Sequence, residues 1–404
     1  MKRYVIIGNG IAGASAVEQI RARDKDGKIT IFTKERHPFY YRPRLPEYMT
    51  GETSLDKFTM HPLSKYEQWN VDLRLGETVT AIDAAKREVS GEKSGVAPYD
   101  ELLLATGSSC FVPPVTGSGK PGVFTLRILD DADAIAAAAK KAKTAILVGG
   151  GLLGLETGRA LIKLGLSVEV VEFADRLLPR QIDSRGAALL QKMLAGMGFS
   201  FHLDARTKEI TGEPAVDGLE LADGNRIDGE LLVFSAGVRP NLELARAAGL
   251  AINKAIKVDE YMRTYDLQTA VPGIWAAGDA AEFAGQPCGI WPIAMAQGKA
   301  AGASMAGELS AYVPQAPSTS LKVAGISLTS VGNIDAENKL RAKCFVSDTV
   351  YRKIVLEEDI IKGIIFLGSE KGIKECTAAM NRNRHLGALA EQLDREDFDF
   401  SRLL

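Results

Sequence analysis

The chain has 404 residues, 46% of them hydrophobic and 25% charged, with a net charge of −2. That composition supports a large apolar core, excludes global disorder, and lacks the basic surplus that attracts nucleic acid or anionic membrane. Glycine is in excess, at 40 residues. The four cysteines (Cys110, Cys288, Cys344, Cys376) form no CxxC or Cys/His cluster, which argues against iron–sulfur, structural zinc and disulfide frameworks.

The opening MKRYVIIGNGIAG has an apolar run too short for a signal peptide, and no stretch reaches the ~20 apolar residues of a membrane span. The expected location is the cytoplasm. Residues 3–8 read as a strand, 11–23 as a helix and 28–33 as a second strand, a βαβ unit. Between the first strand and the helix lies Gly8-Asn9-Gly10-Ile11-Ala12-Gly13. In a GxGxxG turn the first glycine makes the bend, the second admits a pyrophosphate, and the third lets helix and strand pack closely. The helix N-terminus then offers free N–H groups to phosphate. Glu35, with Arg36 beside it, ends the second strand and is the candidate for the ribose hydroxyls. Taken alone, the motif also suits a tight structural turn.

Residues 36–70, with Pro38, Pro43, Pro46 and Pro62, read as an irregular functional loop. Leu102-Leu103-Leu104-Ala105-Thr106-Gly107 reads as a buried strand ending in a turn. An Ala-rich helix is expected near 131–142, with Asp130, Asp131 and Asp133 at its start. The βαβ pattern then returns: strand 144–148, helix 152–164, strand 167–172. Its turn is Gly149-Gly150-Gly151-Leu152-Leu153-Gly154, 141 residues after the first. Glu172 follows Gly149 by 23 residues, near the spacing of a carboxylate that accepts from a free ribose 2′-hydroxyl and repels a 2′-phosphate. This favours NADH over NADPH, and Arg176 nearby weakens the preference slightly. Two dinucleotide sites in one chain suit a flavin that takes hydride from a nicotinamide, so FAD and NAD(P)H are the expected cofactors.

Phe234-Ser235-Ala236-Gly237 is another strand end. Thr269 to Gly278-Asp279 delivers an aspartate at a strand's carboxyl end, where open α/β sheets bind ligands. A helix is expected over 299–310, then a linker with Pro314 and Pro317. The remainder has strand-like pieces at 321–330, 350–356 and 360–367 and a helix from about 370. The histidines (His37, His61, His202, His385) are scattered and read as surface or packing residues. Lys371, Lys374, Arg382 and Arg384 read as a solvated helix face that could also dock an acidic protein.

The order GxGxxG, ATG, GxGxxG and WAAGD resembles the two-dinucleotide flavoprotein family of pyridine-nucleotide-dependent reductases over roughly 1–310. Tyr40 to Leu45, Ala236 to Asn241 and Leu321 to Ile326 are similar to the NADH:rubredoxin oxidoreductase branch, which is related to the flavin module of NADH-dependent nitrite reductase. The resemblance implies FAD contacts for Arg42, Val79, Arg127 and Asp279, the last on the ribityl chain. It implies that Trp291 to Gly298 starts the helix beside the flavin, that Glu156 lies near the nicotinamide, and that Lys322 approaches the ring. Glu47 stands where related ferredoxin reductases carry a lysine, which implies an altered flavin potential. Disulfide reductases of this family carry CxxxxC after the first βαβ unit. Here His37 to Trp69 contains no cysteine, so electrons must leave from the flavin itself. Cys288, alone near a flavin motif, reads as a core residue.

The expected fold is α/β, with two Rossmann-like dinucleotide-binding domains and a small α+β C-terminal domain. The expected partition is 1–110 with 238–312 for FAD, 111–237 for NAD, and 316–404 for the tail. The expected activity is an FAD-dependent NADH:acceptor oxidoreductase serving a small iron protein, rubredoxin first, as a monomer or homodimer. The alternatives are a dehydrogenase module for nitrite reductase, an NADH oxidase, and a non-catalytic redox-sensing module.

Overall fold

Two stretches of the chain fold into the same layered arrangement because they carry the same local signals. The computed structural model describes residues 1–266, 269–314 and 318–404. The expected tail boundary at 316 and Pro317 of the linker lie outside the described residues.

The elements that shape the site are, in chain order, β1 (Arg3–Ile7), α1 (Ile11–Arg23), β2 (Lys28–Thr33), α2 (Leu45–Met49), β3 (Val71–Leu75) and β4 (Glu101–Leu104). Next come β5 (Val123–Thr125), α3 (Leu129–Ala139), β6 (Thr144–Val148), α4 (Leu152–Lys163), β7 (Ser167–Val171), α5 (Ser184–Ala195), β8 (Phe199–His202) and β9 (Leu231–Phe234). Then follow β10 (Ala270–Ala276), α6 (Trp291–Met305), β11 (Ser318–Val323), β12 (Ile326–Gly332), β13 (Arg341–Val346), β14 (Tyr351–Glu357), β15 (Ile360–Leu367) and α7 (Ile373–Asn381).

The chain packs as two units. The first comprises Met1–Arg44, Thr53–Ser109 and Val238–Gln315; the second comprises Leu45–Glu52, Cys110–Gly237 and Ala316–Leu404. Residues 45–52, inside the interval assigned from sequence to the first domain, pack with the second unit.

In the first unit five parallel strands run in the order β10-β4-β1-β2-β3. Ile6 of β1 lies between Ile31 and Leu103, and Tyr4 to Ile7 are all buried, as befits a central strand covered on both faces. Helices α1 and α6 cross on this sheet at backbone contact. A Cβ on Gly298 would lie 2.3 Å from the Ala12 carbonyl oxygen, and one on Gly302 would lie 2.4 Å from that of Ala16. Helix α6 begins at Trp291, where the resemblance placed a helix start and ahead of the 299–310 pattern, because Pro292 suits a first turn; it stops at Met305 before Gly307, whose φ is +98°.

In the second unit a matching sheet runs β8-β7-β6-β9-β5, with Leu147 between Val170 and Val233. Helix α3 carries Asp130 and Asp131 in its first turn, as expected, and starts at Leu129, where the Asp131 carboxylate accepts the N–H groups of Arg127 (2.8 Å) and Ile128 (3.0 Å). The tail forms an antiparallel sheet, β11-β12-β15-β14-β13, under α7, with Ile354, Ile364, Phe366 and Cys376 in its core. The single strand expected over 321–330 is two strands folded back at Ala324-Gly325, and β13 was not anticipated.

A buried polar cluster ties the tail to the rest of this unit. Asp183 caps α5 by accepting the Gly186 N–H at 3.0 Å, and its other oxygen accepts the Tyr351 hydroxyl at 2.7 Å. Lys353 Nζ lies 3.3 Å from Asp183 Oδ2 and donates to the Asp335 carbonyl (2.6 Å) and Asn338 Oδ1 (2.7 Å). Asp183, Tyr351 and Lys353 have no exposed surface. Burial and the neighbouring Asp183 carboxylate push the Tyr351 phenol well above its ordinary range.

Candidate functional site

The two glycine turns are held by equivalent bonds. Gly8 N–H donates to the Phe32 carbonyl and Gly149 N–H to that of Val171, both at 2.8 Å. Beside them, Ala105 N–H donates to Ile7 (2.9 Å) and Ser235 N–H to Val148 (2.8 Å). Gly8 and Gly149 have φ of +112° and +119°, where a side chain is strained. A Cβ there would also meet the Ala105 oxygen at 2.1 Å or the Ser235 oxygen at 2.4 Å. Both turns therefore press against the next strand end, which leaves the helix start facing outward.

Neither α1 nor α4 has a side chain capping its first turn. Their first N–H groups are thus available to an anion at the carboxyl edge of each sheet. Space is available as well: a Cβ on Gly10 or Gly151 would meet nothing within 4 Å.

In the first unit the structure brings together Gly8 to Gly13, Ala105 to Gly107, Gly278-Asp279 and the start of α6. Gly278 N–H donates to Oε1 of the buried Gln297 at 2.9 Å, and a Cβ on Gly278 would sit 3.0 Å from that of Ala12. Asp279 accepts the Ser108 hydroxyl at 2.7 Å. Trp291 stacks on Phe39 at 5.7 Å and meets Tyr41 edge-on at 4.8 Å. Gln297 and Gly298 fall in the segment that the resemblance placed beside the flavin, whereas Gly302 and the helix crossing were missed; the signal was small residues four apart on α6 opposite Ala12 and Ala16.

Glu35 is not a lone acceptor. Its carboxylate is ion-paired with Arg42 and accepts the Tyr40 hydroxyl at 2.5 Å. Asn9, Thr33, Glu35, Phe39, Tyr40 and Arg42 line one cavity. Asn9 was also missed. Its Oδ1 accepts the Tyr66 hydroxyl at 3.0 Å, while its Nδ2 is buried without a hydrogen-bond partner. An orphaned amide donor beside an uncapped helix start suits an anionic, oxygen-rich ligand, and a dinucleotide diphosphate fits these residues. Val79 is buried in the core of this unit, and Arg36 lies beyond the end of β2.

In the second unit Glu172 folds onto its own glycine loop, accepting the N–H of Gly150 at 2.6 Å and of Ala174 at 2.7 Å. Each carboxylate oxygen therefore accepts one backbone N–H and keeps further acceptor capacity. Leu152 and Leu153 form the first turn of α4, and Gly237, with φ +94°, follows β9. Arg176 is paired with Asp175 at 2.8 Å. Glu47, Arg127 and Lys322 belong to this unit and not to the one that holds the first turn; Lys322 is exposed on β11.

Cys288 is buried, 3.7 Å from the Ile290 carbonyl, and burial pushes its thiol up to about 12. Native protein at pH 8 is expected to leave Cys288 unmodified by iodoacetamide while the urea-unfolded chain reacts; peptide mass mapping reads the difference. Rapid native labelling would place it at an accessible, reactive position. His61 sits among Phe39, Tyr66 and Trp69 and pairs with Glu18 at 3.0 Å; burial holds its pKa down. Lys371, on the tail's basic face, lies close to Asp397 and Asp399. Among the described residues no helix is long and apolar enough to cross a membrane, and no cluster of His, Cys, Asp or Glu could hold a metal ion.

Residues 317–384 match the Rubredoxin NAD+ reductase C-terminal domain. A nitrite reductase [NAD(P)H] of Bacillus subtilis (strain 168) is 39% identical over 371 residues, covering 91% of this chain and 46% of the relative. The chain spans about half or less of the length of several curated relatives it matches. An NADH-rubredoxin oxidoreductase of Clostridium acetobutylicum is 30% identical over 91% of both chains. The crystal structure of NADH:rubredoxin oxidoreductase from that organism superposes with a TM-score of 0.81 at 27% identity, over 96% of this chain and 97% of the other. Residues 2–298 match Pyridine nucleotide-disulphide oxidoreductase, and the chain belongs to that family, a family of FAD-dependent NAD(P)H oxidoreductases.

Proposed function

We propose that this chain is an FAD-dependent NADH:acceptor oxidoreductase that delivers electrons to a small iron protein, with rubredoxin as the acceptor. The observation that carries the reading is the pair of uncapped helix starts, α1 and α4, each at the carboxyl end of the middle strand of a run of five parallel strands. Two such cradles suit two dinucleotides.

In this reading the first unit holds FAD and residues 111–237 hold NADH. The N–H groups at the start of α1 and the Asn9 amide would take the FAD diphosphate. Glu35 and Arg42 would share the adenosine end, with Arg42 neutralising the carboxylate between phosphates. Asp279, fixed by Ser108, would accept from the ribityl hydroxyls. Glu172 would accept from the nicotinamide dinucleotide's free 2′-hydroxyl and repel a 2′-phosphate, which favours NADH. The chemistry supplied by bound FAD is hydride acceptance from reduced nicotinamide and release of electrons one at a time. The protein supplies position and electrostatics.

Support for rubredoxin is the C-terminal match and the relative of equal length in Clostridium acetobutylicum. A second reading, the flavin-bearing module of a nitrite reductase, is favoured by the 39% identical relative. Stopped-flow mixing with NADH, followed by turnover with rubredoxin, ferredoxin, nitrite and oxygen, tests both. Fast NADH-dependent reduction of rubredoxin is the expected result. A flavin left oxidised by NADH would refute the oxidoreductase reading; turnover with another acceptor alone would refute the choice of rubredoxin.

A further inference from the structure

One carboxyl group of α4 is engaged by neither the glycine turn nor the strand ends. Glu156 is half-buried, and its Oε1 accepts the backbone N–H of Ala324 at 2.8 Å. Ala324 and Gly325 form the two-residue turn between β11 and β12, where Val323 pairs with Ile326. Their φ values are +50° and +89°. Both positions of such a turn need the left-handed region, which asparagine, aspartate and glycine tolerate and alanine resists. The strained alanine is 3% exposed, and the guanidinium of Arg159 lies against Gly325. Strain of this kind persists only where the surroundings enforce it. They do so here, because the Asp183, Tyr351 and Lys353 cluster fastens the same sheet to α5.

The charged groups facing Glu156 are Arg159 and Lys163 on its own helix and Glu47 on α2. Burial raises its pKa and the like charge of Glu47 adds to this, while the Ala324 N–H, Arg159 and Lys163 act in the opposite direction. A single backbone donor thus fixes one carboxylate oxygen and favours the ionised form.

We propose that the Ala324-Gly325 turn is a positioning element for the Glu156 carboxylate, so that the tail takes part in setting the nicotinamide side of the second cradle. This rests on the reading that residues 111–237 hold NADH with Glu156 beside the nicotinamide. The turn touches no reacting atom; it acts through Glu156.

The test uses the FAD-loaded protein and three variants, Ala324→Val, Ala324→Gly and Glu156→Ala, with the double variant Ala324→Val/Glu156→Ala. The first readout needs no NADH. Amide hydrogen exchange at Ala324, followed by mass spectrometry, is expected to quicken about tenfold in Glu156→Ala, the loss of one hydrogen bond to a charged group. Ala324→Gly, which keeps the N–H and suits the turn, keeps its protection. The second readout is flavin reduction by saturating NADH. Ala324→Val, whose branched side chain cannot hold the turn, is expected to slow it about tenfold in the parent and less than about twofold in the Glu156→Ala background. The acid midpoint of the rate–pH profile moves upward in Ala324→Val, because the ionised carboxylate has lost a donor. Equal slowing in both backgrounds, or unchanged exchange in Glu156→Ala, overturns the proposal. Unprotected exchange with an unaltered reduction rate in Glu156→Ala also overturns it. If NADH fails to reduce the parent flavin, the reading of the second cradle fails instead, and the exchange arm still reports on the turn.

Discussion

Gly149→Ala should lose most NADH-dependent reduction while retaining its flavin. The new Cβ would stand 2.4 Å from the Ser235 oxygen, at a φ of +119° that alanine does not hold. The β6–α4 turn must therefore shift, and with it the first N–H groups of α4. A displacement of about 1 Å at a positioning site costs on the order of 10²-fold, and that is the expected fall in kcat/KM for NADH. The first cradle lies in the other unit and keeps its own turn, so dithionite should still bleach the flavin fully. Stopped-flow absorbance reads both. A variant with unaltered kcat/KM would show that the second turn does not hold the nucleotide.

The second large effect concerns the crossing of α1 and α6. Gly298→Val places a branched side chain where even a Cβ lies 2.3 Å from the Ala12 carbonyl. Backbone cannot rotate away as a side chain can, so the helices must separate. Overpacking typically costs 1–3 kcal/mol, and a backbone clash belongs at about 3 kcal/mol or above. The same separation pulls Gly278-Asp279 and Gln297 from the start of α1. Lower thermal stability and loss of FAD on gel filtration should therefore appear together. Lys299→Val is the control, since it puts the same residue on the exposed face of the same helix, where changes stay within about 0.5 kcal/mol. Full flavin retention in Gly298→Val would show that the crossing does not shape the cradle.

What was legible in the sequence was local. Gly8 to Gly13 and Gly149 to Gly154 announce themselves because one short stretch carries strand, turn and helix signals. Asp279 was picked out by the resemblance, since a Gly-Asp pair after a strand reads by itself as a turn. The crossing of α1 and α6 was not legible, since Ala12 and Gly298 are 286 residues apart and small residues on an Ala-rich helix give little periodic contrast. Glu35 was read as the candidate for the ribose hydroxyls, and nothing in its spacing points to its pairing with Arg42 and Tyr40. The fold-back at Ala324 was hidden by an alanine in a place where asparagine or glycine would have marked a turn. Asp183 and Lys353 drew no reading from the sequence, because burial of an ion pair depends on partners distant in the chain.

That last pair bears on how the chain can be cut. The two family matches, 2–298 and 317–384, invite treating the tail as a detachable cassette. Residues 183 and 353 say otherwise. Excising the tail would strip the Asp183 carboxylate of its cation and its phenol at once, and a transplanted tail would leave Lys353 with only the more distant Asp335 carboxylate, 3.8 Å away, in place of Asp183 at 3.3 Å. Recombinants of this lineage therefore need to exchange Asp183, Tyr351 and Lys353 as one inheritance, whatever boundary the alignment suggests.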